Sequence, residues 1–396
     1  MLGTLIEKLS ALLSKGAFVA SFIPLLAFVA ANFALLAVIH LPSRLWFLRH
    51  KTDAEFISAA VLAFLIAALI FATINTWLRE LMEGRFWPAR ICGALIKGQR
   101  DRLQVLTDEN RRLQRNVRGM RRAPRWTKDL KDARETYPKT ADLVYNRDGP
   151  AGSLIRDLTE RKKRGELIEP ETLARAVDQL TSELRITPMS PELDADQVEL
   201  NDIIRFSLMK NRSEFVRVFK QRQFNFPDDE IDPVAPTAMG NIAFSIRSYA
   251  RSRYRVDIET FWTRLQKVMQ GEPFYAVLQD AKVQLDFLVS LFWLSLVSTA
   301  AWLIALATLG YSLWLYLAIA IAGPLAVWTE YWLALQNYRG FADLMRSSVD
   351  MYRMRLLKEL NLSEPSGSRE EALLWDALLD RMAYGKDFYL SYRRSE

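Results

Sequence analysis

Three stretches of this chain have no room for a solvated face. Residues 17–39 (AFVASFIPLLAFVAANFALLAVI) and 57–78 (ISAAVLAFLIAALIFATINTWL) carry no charged side chain over 23 and 22 positions, and 287–329 carries none over 43. A helix rises 1.5 Å per residue, so each of the first two crosses a hydrocarbon layer of roughly 30 Å. The third crosses it twice, turning at Leu309-Gly310-Tyr311-Ser312. A soluble core helix keeps a polar stripe, and these runs keep none. The first run is too long for a removed signal peptide and lacks a small-residue cleavage site. The chain therefore reads as mainly α, a four-span helical membrane protein with hairpins at 17–78 and 286–335.

The flanks orient it. Arg79, Arg85, Arg90 and Lys97 follow the second run, and 97–125 holds ten Lys/Arg against three Asp/Glu. The link between the third and fourth spans has no charge. By the bias of Lys and Arg toward the inner side, the middle region and both termini are expected to be cytoplasmic, in a bacterial inner membrane. Arg44, Arg49 and Lys51 in the first hairpin loop pull the other way. A lone cysteine, Cys92, excludes an internal disulfide and fits a reducing compartment.

Residues 1–15 place leucines and Ile6 at helical spacing between lysines, as an interfacial amphipathic helix does. In the stalk, 79–123, Leu103, Leu106, Asn110, Leu113, Val117 and Met120 recur in steps of three and four. This is a short coiled-coil pattern with a register-setting Asn, read as an oligomerisation seam in preference to an intramolecular helix pair. Segment 124–285 reads as a helical domain. Pro124, Pro138 and Asp148-Gly149-Pro150 leave 124–152 mostly irregular, and helices open near Pro170, 193, Thr237, Asp257 and Pro273. The tail, 336–396, adds helices at 341–360 and after a capping box Ser368-Arg369-Glu370-Glu371. Gly323-Pro324 predicts a kink inside the fourth span.

Familiar chemistry is missing. The histidines, His40 and His50, and one distant cysteine do not make a zinc site, and there is no HExxH, CxxC, Walker A, GxGxxG, G-x-S-x-G or EF-hand sequence. Asp228-Asp229-Glu230-Ile231-Asp232 reads as a solvated turn. No catalytic, cofactor or metal residue is assigned, no cofactor is expected, and a non-enzymatic role is favoured. Arg247, Arg251, Arg253, Arg255 and Arg264 alternate with Tyr249, Tyr254 and Trp262, a mixture that can bind single-stranded nucleic acid. Their closeness to the third span makes structural ion pairs and anionic lipid headgroups the better reading, with nucleic acid disfavoured.

The stretch Pro236-Thr237-Ala238-Met239-Gly240-Asn241, followed by Tyr254, Asp257 and Trp262-Thr263-Arg264-Leu265, resembles a pattern in bacterial multi-pass membrane proteins, P-T-x-x-G-N, R-Y-G-x-D and W-x-R-L before a span. The resemblance covers about 50 residues, and no activity is attached to it. It implies a membrane-proximal structural motif. Arg255 stands where the pattern commonly has glycine, which puts a tight glycine turn in doubt and leaves Arg255 free to project.

The reading is an oligomeric membrane-anchored scaffold or sensor that couples a cytoplasmic protein-interaction module, formed by the middle region and the C-terminal tail, to transmembrane helices. Expected partners are anionic lipids, further copies of the chain and a cytoplasmic protein. The alternatives are a channel or membrane-perturbing effector gated by that module, and a membrane-bound hydrolase without a recognisable motif.

Overall fold

A computed structural model describes residues 16, 18–38, 54–135, 145–186, 190–228, 231–310 and 312–385. The amphipathic segment 1–15, both histidines and residues 386–396 lie outside them. A π-helical turn, Phe18–Phe22, leads into α1 (Ile23–Val38), and α2 (Ala54–Glu83) and α3 (Ala89–Gly119) follow. A 3₁₀ turn, Met120–Arg122, opens α4 (Ala123–Glu135), then come α5 (Pro150–Lys163), α6 (Pro170–Ile186) and α7 (Pro191–Asn225). The chain ends with α8 (Ala238–Tyr254), α9 (Ile258–Met269), α10 (Pro273–Leu309), α11 (Leu313–Glu359) and α12 (Ser368–Tyr384). The protein is mainly helical, with four helices long and apolar enough to cross a membrane and a large helical region outside them.

The four spans share one end. Gly16 lies against Val283, the Asn75 amide donates to the Asp286 carbonyl, and the Tyr338 hydroxyl donates to Glu83. The first and third spans therefore leave this end, and the second and fourth return to it. Within the apolar layer Asn32 Oδ1 accepts from Trp302 Nε1 at 2.7 Å and from Ser298 Oγ at 3.2 Å. Gly310, at φ +64, ends α10 in the left-handed conformation that glycine adopts without a Cβ penalty. At Gly323 a Cβ would collide with the Thr299 side chain, so this glycine sets the close approach of α11 to α10. Gly323, beside the proline expected to kink the span, is thus a packing point, and α11 continues as helix through Pro324.

The chain divides into two compact units. Residues 101–222 form one, and 1–100 with 223–396 form the other; α3 and α7 each cross the boundary. The division falls inside the segment 124–285 that reads from sequence as one domain. The 101–222 unit has its own core, built from Trp126, Leu130, Ile155, Leu158, Leu173, Leu180, Leu200 and Ile203. Two buried amides tie it: Gln197 donates to the Leu130 carbonyl at 2.9 Å, and Asn211 to the Ile168 carbonyl at 3.1 Å. Helix α4 occupies a stretch expected to be irregular, because Pro124 sits in the first turn, where its missing N–H breaks no hydrogen bond.

In the other unit one core joins membrane and non-membrane helices. Leu78 and Met82 of α2, Leu285 and Val289 of α10 and Ala334 and Tyr338 of α11 share it with Ile242, Phe261, Leu357 and Trp375. The tail helix expected at 341–360 is the continuation of α11. Gly340 has no neighbour around its Cβ position and does not interrupt it. The expected Ser368 capping box does not form: Gly367 is the N-cap and offers no side-chain acceptor, and Glu370 accepts from the Ser366 amide, one residue before the cap, at 2.7 Å.

Candidate functional site

The shared end of the spans is built around the sequence motif. Glu83 closes α2, and Gly84 turns the chain at φ +83. Thr237 is extended, and its Oγ1 accepts from the Gly240 amide at 3.0 Å, the N-cap that starts α8. A Cβ on Gly240 would run into the Glu83 carbonyl and lie 2.7 Å from the Ala235 Cβ. Asn241 is fully buried: its Oδ1 accepts from the Ala235 amide at 2.7 Å, and its Nδ2 donates to the Ala235 carbonyl at 3.3 Å and to Gln99 Oε1 at 3.2 Å. Pro-Thr-x-x-Gly-Asn is therefore a joint. Threonine caps the helix, glycine admits the end of α2, and asparagine ties the preceding loop.

Charges crowd this joint. Glu83, 4% exposed, accepts from the Tyr338 hydroxyl at 2.7 Å and from Arg85 Nε at 2.9 Å, with Arg79 Nε 3.8 Å away. Arg79 also reaches Asp286 at 3.4 Å, and Lys282 pairs with the same carboxylate at 3.3 Å. A cavity of about 430 Å³ opens beside these groups, faced by Arg79, Arg85, Arg247 and Lys282 and by Glu80, Glu83 and Glu259, with Trp262 and Tyr338 in its walls. Four cations against three carboxylates leave little net charge. Each cation already has a carboxylate partner, so this place suits exchange of ion pairs during helix movement better than capture of an anion.

Farther from the spans, α8 packs on the extension of α11. Arg346 is 2% exposed and donates from Nη2 to Ser245 Oγ at 2.6 Å and to the Phe224 carbonyl at 3.1 Å, with its guanidinium 4.5 Å from the Phe224 ring centre. Tyr249 donates to Asp350 at 2.9 Å. Burial, then this hydrogen bond, pushes the Tyr249 pKa up to about 12, against an unfolded value near 10. The folded state thus holds its proton where the unfolded state loses it, and that contribution to stability is complete below pH 10 and lost as pH rises toward 12. Thermal unfolding between pH 10 and 12 should show a steeper loss for the wild type than for Tyr249→Phe.

The five arginines expected at lipid differ in their contacts within the chain. Arg247 ion-pairs with Asp232 and, at 3.1 Å, with Glu259, and the hydrogen bond to Asp232 raises its pKa. Arg251 lies 4.0 Å from Asp257, Arg253 sits over Tyr249 and Tyr254, and Arg264 donates to the Thr260 carbonyl at 3.0 Å. Only Arg247 faces the cavity. Asp257 caps α9 through the Thr260 amide, and Leu265 is buried beneath half-buried Trp262.

Arg255 is exposed and takes the left-handed conformation, φ 63, at the end of α8. The left-handed turn after α8 is thus made by a residue other than glycine. A left-handed non-glycine residue costs about 1–2 kcal/mol. Arg255→Gly should stabilise the protein by about 1 kcal/mol, read as a higher unfolding temperature.

The proposed seam is turned inward within the 101–222 unit. Leu103, Leu113 and Met120 are buried and Leu106, Asn110 and Val117 half-buried. Arg222 Nε donates to Thr107 Oγ1 at 3.1 Å and Asn116 Nδ2 to Asn211 Oδ1 at 3.2 Å, so α7 runs antiparallel along this face of α3.

Sequence reasoning missed Glu83, Asp286, Tyr338 and Arg346 as a group. The local signals were pairs within a few residues, Arg79 and Arg85 with Glu83 and Lys282 with Asp286; the contacts from Tyr338 to Glu83, from Arg79 to Asp286 and from Arg346 to Ser245 join residues more than a hundred positions apart. Among the described residues no three His, Cys, Asp or Glu are placed to share a metal ion. In comparisons with family models, curated proteins and solved structures, nothing matches this chain.

Proposed function

We propose that the protein is a membrane-anchored scaffold or sensor in which a helical module on the cytoplasmic side engages a protein partner and the contact is coupled to the spans. The observation that carries this reading is the continuity of α10 and α11. At 37 and 47 residues they pass from apolar spans into the non-membrane core, where α8, α9 and α12 pack on them. Displacing that core displaces the spans, which a flexible linker would not do.

Partner binding has a suitable surface in the 101–222 unit. Val198, Met209, Val216 and Phe219 are exposed on α7, and their spacing of 11, 7 and 3 residues puts them on one face. The oligomeric part of the proposal needs a surface other than the α3 seam, which α7 already covers.

Photo-crosslinking from Met209 and Val198 of the full chain in native membranes should give one discrete protein adduct, lost on Met209→Asp, while the reconstituted protein passes no ions. Ion flux abolished by Pro324→Ala, with no adduct, would move the assignment to a channel.

A further inference from the structure

A second cavity, about 560 Å³, lies between the start of the first span, α2 and α10, and Ser21, Asn75, Thr76, Asp280, Lys282 and Asp286 line its polar part. Two of these side chains carry an unmet oxygen. Ser21 and Asn75 are 2% and 5% exposed, and Ser21 Oγ and Asn75 Oδ1 have no hydrogen-bond partner among the described residues. The Asn75 amide nitrogen is engaged by the Asp286 carbonyl and by Ser290 Oγ, both at 3.0 Å, which leaves the acceptor as the free atom. Ser21 belongs to the π-helical turn Phe18–Phe22, a local departure that recurs at functional sites. An unmet buried acceptor costs about 1–3 kcal/mol, and the residues lining this cavity include one such acceptor and one unmet hydroxyl.

The charges point the same way. Asp286 is shared by Lys282 and Arg79, whereas Asp280 has no ion-pair or hydrogen-bond partner among the described residues. Six positions separate the two carboxylates, about 9 Å along α10. Ala72, Ala276 and Val283 supply apolar wall.

We infer that this cavity binds a primary ammonium group carried on a short apolar stem. Its N–H groups satisfy the Ser21 and Asn75 oxygens, and its charge answers the carboxylate surplus that Asp280 leaves. The same chemistry comes from two sources, the ethanolamine headgroup of a phospholipid or a free alkylamine. The inference stands apart from the scaffold reading, and neither depends on the other.

The test uses the full chain purified in detergent. Butylammonium chloride should raise its unfolding temperature saturably, whereas tetramethylammonium, which has no N–H, and sodium chloride at equal ionic strength should not. Asp280→Asn, at an exposed position that puts folding at little risk, should weaken the apparent affinity at least tenfold, and Ser21→Ala should weaken it as well. Native mass spectrometry from mixed ethanolamine and choline phospholipid nanodiscs then separates the sources: selective retention of the ethanolamine lipid, lost in Asp280→Asn, assigns the headgroup, and a butylammonium shift without retention assigns a free amine. Equal shifts from tetramethylammonium or sodium, no shift from any salt, or an Asp280→Asn response identical to wild type would overturn the inference.

Discussion

Gly240→Ala is expected to cost about 3 kcal/mol, the upper part of the range for overpacking a well-filled site. The added Cβ meets the Glu83 carbonyl and the Ala235 Cβ. Neither obstacle is the movable end of a long side chain, so α8 must shift away from the end of α2 and strain the Asn241 bridges to Ala235 and Gln99. Gly98→Ala is the matched control. Gly98 lies inside α3 with nothing within 4 Å of its Cβ position, and glycine to alanine in an open helix gains about 0.8–1 kcal/mol. Thermal unfolding in detergent should move in opposite directions for the two variants. A Gly240→Ala protein as stable as Gly98→Ala would remove the close approach of α8 to α2 from the account of the joint.

The fold was legible where local physics decides it. Uncharged runs long enough for a bilayer declare the spans, and Thr237 and Asp257, each ahead of an apolar helical face, declare two helix starts that the structure caps as expected. Other features had a pattern that does not name the partner. The Leu103–Met120 spacing announces a buried seam, but periodicity says only that one face is covered, and α7 of the same chain covers it as well as a second copy would. Pro124 reads equally as a breaker and as a first-turn residue, and the 3₁₀ turn before it settles the matter. The ion-pair joint was not legible. Glu83 and Tyr338 stand 255 positions apart, and nothing near either residue names the other.

That joint gives the second large effect. Glu83→Ala should destabilise the protein by about 3–5 kcal/mol, the cost of removing one partner from a buried charge group. Loss of the carboxylate takes the acceptor from the buried Tyr338 hydroxyl and from Arg85 Nε, and it leaves Arg79 with Asp286 as its nearest remaining anion. Glu83→Gln keeps an acceptor for Tyr338 and loses the charge, so its cost should be smaller, about 1–3 kcal/mol. Tyr338→Phe alone removes one hydrogen bond, and combined with Glu83→Ala it should add little, because the interaction has already gone; the double-mutant cycle measures that coupling. Strict additivity of the two substitutions would show that Glu83 and Tyr338 act independently. Strong coupling would mean that the end of α2 and the middle of α11 are held by one shared contact, so that a movement of the α11 extension reaches the second span through Glu83 directly.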